Sequence, residues 1–394
     1  MASVERFLVS VDEATLNDLH DRLIRTRWPH DIANDDWRYG TNLAYIKELV
    51  EYWINHYDWT YWEAQINKFA HFKTHIDGVP IHFIREPGKG DNPIPLVLSH
   101  GWPWTFWDYS KIIGPLADPA SFGGDPADAF EVIVPSLPGF GFSTPLTQAG
   151  MNYWRTADLW HTLMKDVLGF ERFAAQGGDW GSILTAQLSH KYAASLYGIH
   201  VTGVVPTGVF GGERPWDLFG GQLDKLADDE RKRVVEIEQR IASHLTVHIL
   251  DPQTLAYGPH DSPVALLAWL LERRRAWSDC GGDVESRFSK DDLLTTVMLY
   301  WVTESFVTSA RYYSEAWRNP WQPSHNRVPP FEAPAGISLF AGDQAGLIHP
   351  SLSENYNVHF YRERPAGGHF APFEEPDALI EDIRATFRDL RGQG

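Results

Sequence analysis

The chain has 394 residues, a formal net charge of −18, 17 tryptophans and a single cysteine, Cys280. The negative charge argues against binding to nucleic acid or to an anionic membrane surface. One cysteine excludes an internal disulfide and a cysteine-based zinc site. No apolar segment reaches the roughly 18 residues that span a bilayer, and the N-terminus does not have the pattern of a signal peptide. We therefore expect a soluble cytoplasmic protein, while the sequence does not decide between a monomer and a homodimer.

The first predicted region is residues 1–90, which are rich in Trp, Tyr, Asp and His. Asp77-Gly78 separates two short runs of β-forming residues and predicts a β-hairpin. The predicted elements of this region are helices at Asp12–Arg25 and Leu43–Tyr57 and hairpin strands at Phe72–Ile76 and Pro80–Ile84.

Apolar runs and helical segments alternate over residues 91–205, a pattern typical of parallel strands joined by crossover helices. Residues 206–335 lose this alternation and are predicted to be mostly helical, ending in a Pro-rich segment, and the α/β pattern resumes in residues 336–394. The predicted strands are Pro95–Ser99, Phe130–Pro135, Phe173–Gln176, Gly198–Val201, Gly336–Phe340 and Val358–Tyr361, and the last helix is Asp377–Leu390. We expect an α/β fold whose mostly parallel sheet is interrupted by a helical lid.

The most informative motif is Gly-Gly-Asp-Trp-Gly-Ser at 177–182, between a predicted strand and a helix predicted over Ile183–Tyr192. A strand, a sharp turn of small residues and a helix form a nucleophile elbow. Its apex here is Asp179 rather than serine. A carboxylate can displace a leaving group from a saturated carbon and form an ester. The motif alone fits a surface turn equally well, because Gly and Asp are common turn residues.

Two further residues complete a candidate triad. Asp343 follows the predicted strand Gly336–Phe340, and His369 lies in Gly-Gly-His-Phe-Ala before the last helix. Nucleophile, acid and histidine appear in the chain order of hydrolases with this elbow. His369 would deprotonate a water that attacks the ester, and Asp343 would orient and stabilise the imidazole. Each of these two residues taken alone is more often structural.

Hydrolysis of an ester on Asp179 creates an oxyanion, which needs nearby backbone donors. The segment His100–Pro103 follows the strand Pro95–Ser99 and is placed to supply one. We expect the amides of Trp102 and Trp180 to be the pair.

The motifs at 100–103, 139–143 (Gly-Phe-Gly-Phe-Ser), 177–182 and 367–371 together resemble those of epoxide hydrolases with the α/β-hydrolase fold. The resemblance extends over essentially the whole chain. Trp37–Gly40 and Trp62–Asn67 are similar to the N-terminal meander of the microsomal and juvenile-hormone type. The resemblance implies that Asp179 opens an epoxide, that a vicinal diol is released, and that no cofactor or metal is needed. Abundant aromatic residues favour an apolar substrate, aromatic or aliphatic, although most of them belong in the core. Detoxification, catabolism of aromatic hydrocarbons or other epoxides, and natural-product tailoring are all compatible roles.

The resemblance also implies two lid tyrosines that hydrogen-bond the epoxide oxygen. Tyr313 matches one of them, with Tyr312 as the alternative. The position of the other is occupied by Thr246, and Tyr257 is a candidate substitute. Trp104 stands where relatives have a small residue, so it either narrows the pocket or packs against the N-terminal region.

Two other functions stay open. A haloalkane or haloacid dehalogenase would use Asp179 and His369 in the same way, with the indole N–H of Trp180 holding the halide. The second is a binding protein that has lost catalysis, suggested by Thr246. His244 and His248 have a spacing that can bind a metal but lack a third ligand. The charged run Asp228–Arg240 is predicted to be a solvated helix face.

Overall fold

The computed structural model describes residues 3–204, 210, 214, 226–343 and 352–392. Nine strands of that part of the chain form one sheet. They are β1 (Glu5–Phe7), β2 (His71–Ile76), β3 (Val79–Glu86), β4 (Ile94–Ser99), β5 (Phe130–Pro135), β6 (Phe173–Gly178), β7 (Leu196–Thr202), β8 (Phe331–Phe340) and β9 (Tyr356–Arg364).

The helices of the described residues precede, connect and follow these strands. They are α1 (Glu13–Ile24), α2 (Leu43–Asn55), α3 (Trp59–Ile66), α4 (Ser110–Ala117), α5 (Tyr153–Thr162), α6 (Trp180–Tyr192), α7 (Asp228–Ile241), α8 (Ser243–Leu250), α9 (Pro252–Asp261), α10 (Pro263–Trp277), α11 (Lys290–Val302), α12 (Phe306–Arg318), α13 (Leu352–Asn355), α14 (Ala371–Glu374) and α15 (Pro376–Arg388).

The strand order is β1-β2-β3-β5-β4-β6-β7-β8-β9. The first three strands are antiparallel, and β3 also pairs antiparallel with β5. All pairings from β5 to β9 are parallel. Every residue of β6 is buried, as expected for a central strand covered by helices on both faces. The mostly parallel α/β sheet predicted from the alternating pattern is confirmed, and the carboxyl ends of its parallel strands lie at one edge.

The predicted elements of the core are present with small shifts at their ends. The β2–β3 hairpin turns at Asp77-Gly78, where both residues have positive φ. The largest difference is in β8, which begins at Phe331 within the predicted Pro-rich segment. The register with β9 shifts between Phe331 and Gly336, so this irregular pairing extends a strand that periodicity alone did not show. The predicted start of the helical insertion, residue 206, lies outside the described residues.

Helices α7–α12 lie between β7 and β8 in the chain and form the helical insertion. The charged run Asp228–Arg240 falls in α7, whose apolar residues Val234 and Ile237 are buried while most of its charged residues are exposed. The N-terminal helices pack against this insertion. The hydroxyls of Tyr52 and Tyr57 hydrogen-bond Asp291 and Thr295 of α11 at 3.0 Å. The N-terminal region therefore supports the insertion as well as extending the sheet.

A buried ion pair joins the insertion to the core. Arg274 in α10 lies 2.6 Å from Asp108, and both side chains are almost completely buried. The guanidinium also lies over the ring of Phe370, 4.1 Å from its centroid. Removing one member of such a pair leaves an uncompensated buried charge. This contact therefore ties α10 to the segment that follows β4.

We expect Arg274→Ala to lower the free energy of unfolding by about 3–5 kcal/mol, because Asp108 would stay buried without its cation. Urea unfolding measures the difference. The matched control is Arg38→Ala, which breaks an exposed pair with Asp36 and should leave stability unchanged within error. Equal losses in the two variants would contradict a special contribution from the buried pair.

Candidate active site

Asp179 lies at the apex of the turn between β6 and α6. Its backbone has φ 53° and ψ −124°, a strained conformation for a residue with a side chain. The turn is possible because its neighbours are glycines: a Cβ on Gly181 would lie 1.8 Å from the carbonyl oxygen of Ser99. A Cβ on Gly101 would lie 2.2 Å from Asp179 Oδ1. The sequence therefore places the Asp179 side chain where β6 ends, at the edge of the sheet formed by the C-terminal ends of the parallel strands. This position is also the N-terminus of α6, where a negative charge is favoured.

His369 connects the two other predicted carboxylates. Its Nε2 lies 3.2 Å from Asp179 Oδ2, and its Nδ1 lies 3.2 Å from Asp343 Oδ1. Burial disfavours the imidazolium, but the carboxylates of Asp343 and Asp179 outweigh it and raise the pKa of His369 to about 10. The resting site is therefore a carboxylate–imidazolium–carboxylate array at neutral pH. The structure thus brings together the three residues predicted from chain order.

One backbone donor reaches the nucleophile. The amide of Trp102 donates a 2.8 Å hydrogen bond to Asp179 Oδ1. In the described residues, the amide of Trp180 makes no hydrogen bond to the Asp179 side chain. The geometry thus provides the Trp102 donor directly, and the Trp180 donor stays a prediction.

Tyr313 in α12 packs beside the nucleophile. Its ring lies 4.7 Å from that of Trp180 and 6.0 Å from that of Trp102, edge to face in both cases. Burial raises the pKa of the Tyr313 hydroxyl well above its ordinary value, and the negative charge of Asp179 adds to the shift. The hydroxyl is therefore protonated at neutral pH and close to the nucleophile, as a hydrogen-bond donor to substrate must be.

The structure describes the surroundings of three other predicted substrate contacts, whose role stays a prediction. Tyr312 is buried, and its hydroxyl is already hydrogen-bonded to Thr156 Oγ1 at 2.9 Å. Tyr257 is 70% exposed on α9. Thr246 is exposed because it lies on the face of α8 opposite to that of His244 and His248. Side chains two residues apart on a helix point about 200° away from each other. A match at one sequence position does not show which way the helix faces.

Trp104 is fully buried beside His369, with ring centroids 5.7 Å from His369 and 5.8 Å from Phe370. The indole therefore packs against the imidazole. Its predicted effect on the width of the substrate pocket stays a prediction.

His244 faces the site and was not predicted to do so. Its ring stacks on Trp102 at 5.1 Å and meets Tyr313 edge to face at 5.3 Å. Burial lowers the pKa of His244 well below its ordinary value, so the ring is neutral. The i,i+4 spacing of His244 and His248 is the signal in the sequence, because it places both rings on one face of α8. The same spacing is compatible with a metal pair. Within the described residues, no third metal-ligating side chain joins these two histidines.

Comparison with known proteins shows the family. The model for the epoxide hydrolase N terminus matches residues 4–109, and the α/β-hydrolase fold matches residues 94–376. A Stigmatella aurantiaca protein, provisionally named an epoxide hydrolase, is 38% identical over 98% of this chain and 85% of its own. Epoxide hydrolase 1 of Oryctolagus cuniculus is 33% identical over 97% of this chain and 88% of its own.

Solved structures give the same result. Aspergillus niger epoxide hydrolase has a TM-score of 0.81 and 27% identity, covering 98% of this chain and 97% of its own. Juvenile hormone epoxide hydrolase from Bombyx mori has a TM-score of 0.80 and 25% identity, covering 99% of this chain and 95% of its own. In the described part of this chain, no helix is long and apolar enough to cross a membrane. With an aspartate at its elbow and relatives over its whole length, the chain belongs to the epoxide hydrolases of the α/β-hydrolase fold.

Proposed function

We propose that this enzyme converts an apolar epoxide to a vicinal diol through a covalent ester on Asp179. The observation that carries the proposal is the arrangement around this carboxylate. One oxygen accepts the Trp102 amide and the other lies 3.2 Å from His369. An aspartate held between a backbone donor and a histidine–acid pair is equipped both to form an ester and to have it hydrolysed.

In the first step, an Asp179 oxygen attacks one epoxide carbon and the bond from that carbon to the ring oxygen breaks. The ring oxygen takes a proton from Tyr313 as it becomes a hydroxyl. A buried phenol is a weak acid, but the alkoxide that develops is a far stronger base than a phenolate. With the charge of Asp179 gone, the His369 imidazolium releases its proton to solvent, and solvent returns a proton to the Tyr313 phenolate. The product is a β-hydroxyalkyl ester of Asp179.

In the second step, His369 removes a proton from water and the resulting hydroxide adds to the ester carbonyl carbon. The Trp102 amide is the proposed donor to the oxyanion, and the diol leaves with the proton from His369. The Asp179 carboxylic acid that remains gives its proton to His369, which restores the carboxylate and the imidazolium. Esterification removes the negative charge of Asp179, which is one of the causes of the raised pKa of His369. The first step therefore lowers the pKa of His369. The imidazole is then neutral at physiological pH and can accept a proton from water.

An apolar substrate is supported by the surroundings of the nucleophile. Trp180, Phe210 and Tyr313 pack on one another beside Asp179, and Trp277 lies 5.1 Å from the His369 ring. Such surfaces favour hydrocarbon or aromatic groups over charged ones. Detoxification and catabolism of aromatic hydrocarbons both involve epoxides of this class, and neither role is favoured by the site.

Dehalogenation is disfavoured by two features. Residues 4–109 match the epoxide hydrolase N terminus. A protonated Tyr313 beside Asp179 is suited to donate to the oxygen of an opening epoxide, which displacement of a halide does not require. The binding-protein alternative is disfavoured by the intact contacts of Asp179, His369 and Asp343.

Intact-protein mass spectrometry tests the ester directly. We expect His369→Gln, incubated with an aryl epoxide such as styrene oxide, to gain the mass of one substrate on Asp179, because the ester forms but is not hydrolysed. Asp179→Asn should gain none and lose at least about 10³-fold in diol formation.

Two results would contradict the proposed function. One is the absence of diol from a panel of aryl and aliphatic epoxides with the wild-type enzyme. The other is halide release from chlorinated or brominated alkanes at a rate comparable to epoxide turnover.

Tyr313→Phe removes the proposed acid while keeping the ring. We expect the rate of ester formation to fall about 10²–10⁴-fold, since this is the usual contribution of a general acid, while ester hydrolysis changes little. Stopped-flow tryptophan fluorescence with rapid-quench product analysis separates the two steps. Tyr312→Phe, whose hydroxyl bonds Thr156, is the matched control and should retain normal ester formation. Equal effects in the two variants would rule out a specific role for Tyr313.

The raised pKa of His369 predicts a pH dependence of stability. Because its folded pKa of about 10 lies above the ordinary value of 6.5, its contribution is complete below about pH 6.5 and is lost as pH rises towards 10. We expect urea-unfolding free energy to decline more steeply between pH 7 and 10 in the wild type than in Asp343→Asn, which lacks one stabilising anion. Parallel pH curves would show that the array does not hold a proton at neutral pH.

A further inference from the structure

The loop that carries His369 has its backbone N–H groups satisfied by groups outside the loop. Gly367 N donates to Asp279 Oδ2 at 3.0 Å, and His369 N donates to the carbonyl of Trp277 at 2.9 Å. Gly368 N donates to Glu374 Oε2 at 3.0 Å, and Phe370 N donates to Glu374 Oε1 at 2.9 Å. Four consecutive amides are thus held, and the two that flank the catalytic histidine bind one carboxylate.

Glu374 makes a third bond, to the helical insertion. Its Oε2 also accepts the amide of Asp279 at 2.7 Å, two residues beyond the end of α10. The Glu374 side chain is 7% exposed. Burial raises its pKa above the ordinary value, and the amides of Asp279 and Phe370 oppose this shift because they stabilise the ionised form. A buried carboxylate with three amide donors is costly to replace, since each donor would lose its partner.

The insertion and the loop approach each other closely at this point. A Cβ on Gly368 would lie 2.5 Å from the Asp279 nitrogen, so a side chain there would break the contact. The loop is also joined to the acid's loop, because Gly342 N donates to the Gly367 carbonyl at 2.8 Å. Glu374 therefore binds two backbone segments at once: the end of the insertion at Asp279 and the loop at 368–370 that carries the imidazole.

We propose that Glu374 is the positioning residue for the base of the second half-reaction: its carboxylate fixes His369 by holding the amides on both sides of it and docking them to the insertion. The inference rests on the proposed function. The elbow and the Trp102 amide position Asp179, and Glu374 touches neither. Glu374 reaches Asp179 only through the His369 ring, 3.2 Å from Oδ2. We therefore expect loss of the Glu374 carboxylate to slow ester hydrolysis far more than ester formation.

The test variant is Glu374→Gln, which keeps the shape but has one acceptor oxygen in place of two. Its NH₂ group must face at least one amide donor, so at least one of the three bonds is lost. We expect kcat to fall about 10- to 100-fold, as for a reacting group misplaced by about 1 Å. KM should fall by the same factor and kcat/KM should stay within about twofold, because kcat/KM reports the steps up to ester formation. Mass spectrometry during turnover of styrene oxide should show the ester accumulating on Asp179.

Glu375→Gln is the matched control. Its carboxylate is the next one along the chain and binds Arg287 at 2.8 Å, with no hydrogen bond to the loop amides. It should show no accumulation of ester. If Glu374→Gln does not fold, Asp279→Asn, which weakens the bond to Gly367 N, should give the same pattern with a smaller amplitude.

The two proposals fail in different ways. No ester and no diol in the wild type would refute the proposed function. A wild type that forms and hydrolyses the ester, together with a Glu374→Gln variant in which kcat and kcat/KM fall equally without ester accumulation, would refute the role of Glu374 alone. Unchanged kinetics in folded Glu374→Gln would do the same.

Discussion

The strained turn at Asp179 is the constraint on which the rest of the site depends. A backbone with positive φ is unfavourable for a residue that has a side chain. Asp179 keeps this conformation because β6, α6 and the segment after β4 are in close contact around it. The glycines at 101 and 181 allow that close approach, which brings the Trp102 amide to the carboxylate. The strained turn therefore holds the proposed nucleophile 2.8 Å from the proposed oxyanion donor.

Charge alternation around His369 is the second organising feature. Two carboxylates lie 3.2 Å from the His369 ring nitrogens and raise the pKa of His369. In the proposed mechanism, esterification removes one of these charges, so the imidazole passes from a cation to a neutral base. That mechanism requires the imidazole to stay in place when its contact with Asp179 is lost, and this is the role proposed for the backbone hydrogen bonds of its loop.

The helical insertion contributes side chains to the candidate site as well as covering it. It supplies Tyr313 and His244 to the site, is joined to the core by Arg274, and meets the histidine loop at Trp277 and Asp279. The N-terminal helices support it from outside through Tyr52 and Tyr57. Parts of the chain that are distant in sequence therefore act together on one side of the sheet.

The sequence by itself determined the mostly parallel sheet and the elbow, and it predicted that Asp179, Asp343 and His369 lie together, as they do. These features depend on local patterns: strand periodicity, glycine positions and the order of residues after strands. It also indicated Tyr313 and the Trp102 amide. The tertiary structure alone decided which helix faces meet the nucleophile. Thr246 and Tyr257 turn outwards, Trp104 lies behind the imidazole, and His244 faces inwards. The contacts of Glu374 with amides at 279, 368 and 370 likewise join segments far apart in the chain. Helix rotation and long-range docking are set by packing between distant segments, which no local pattern encodes.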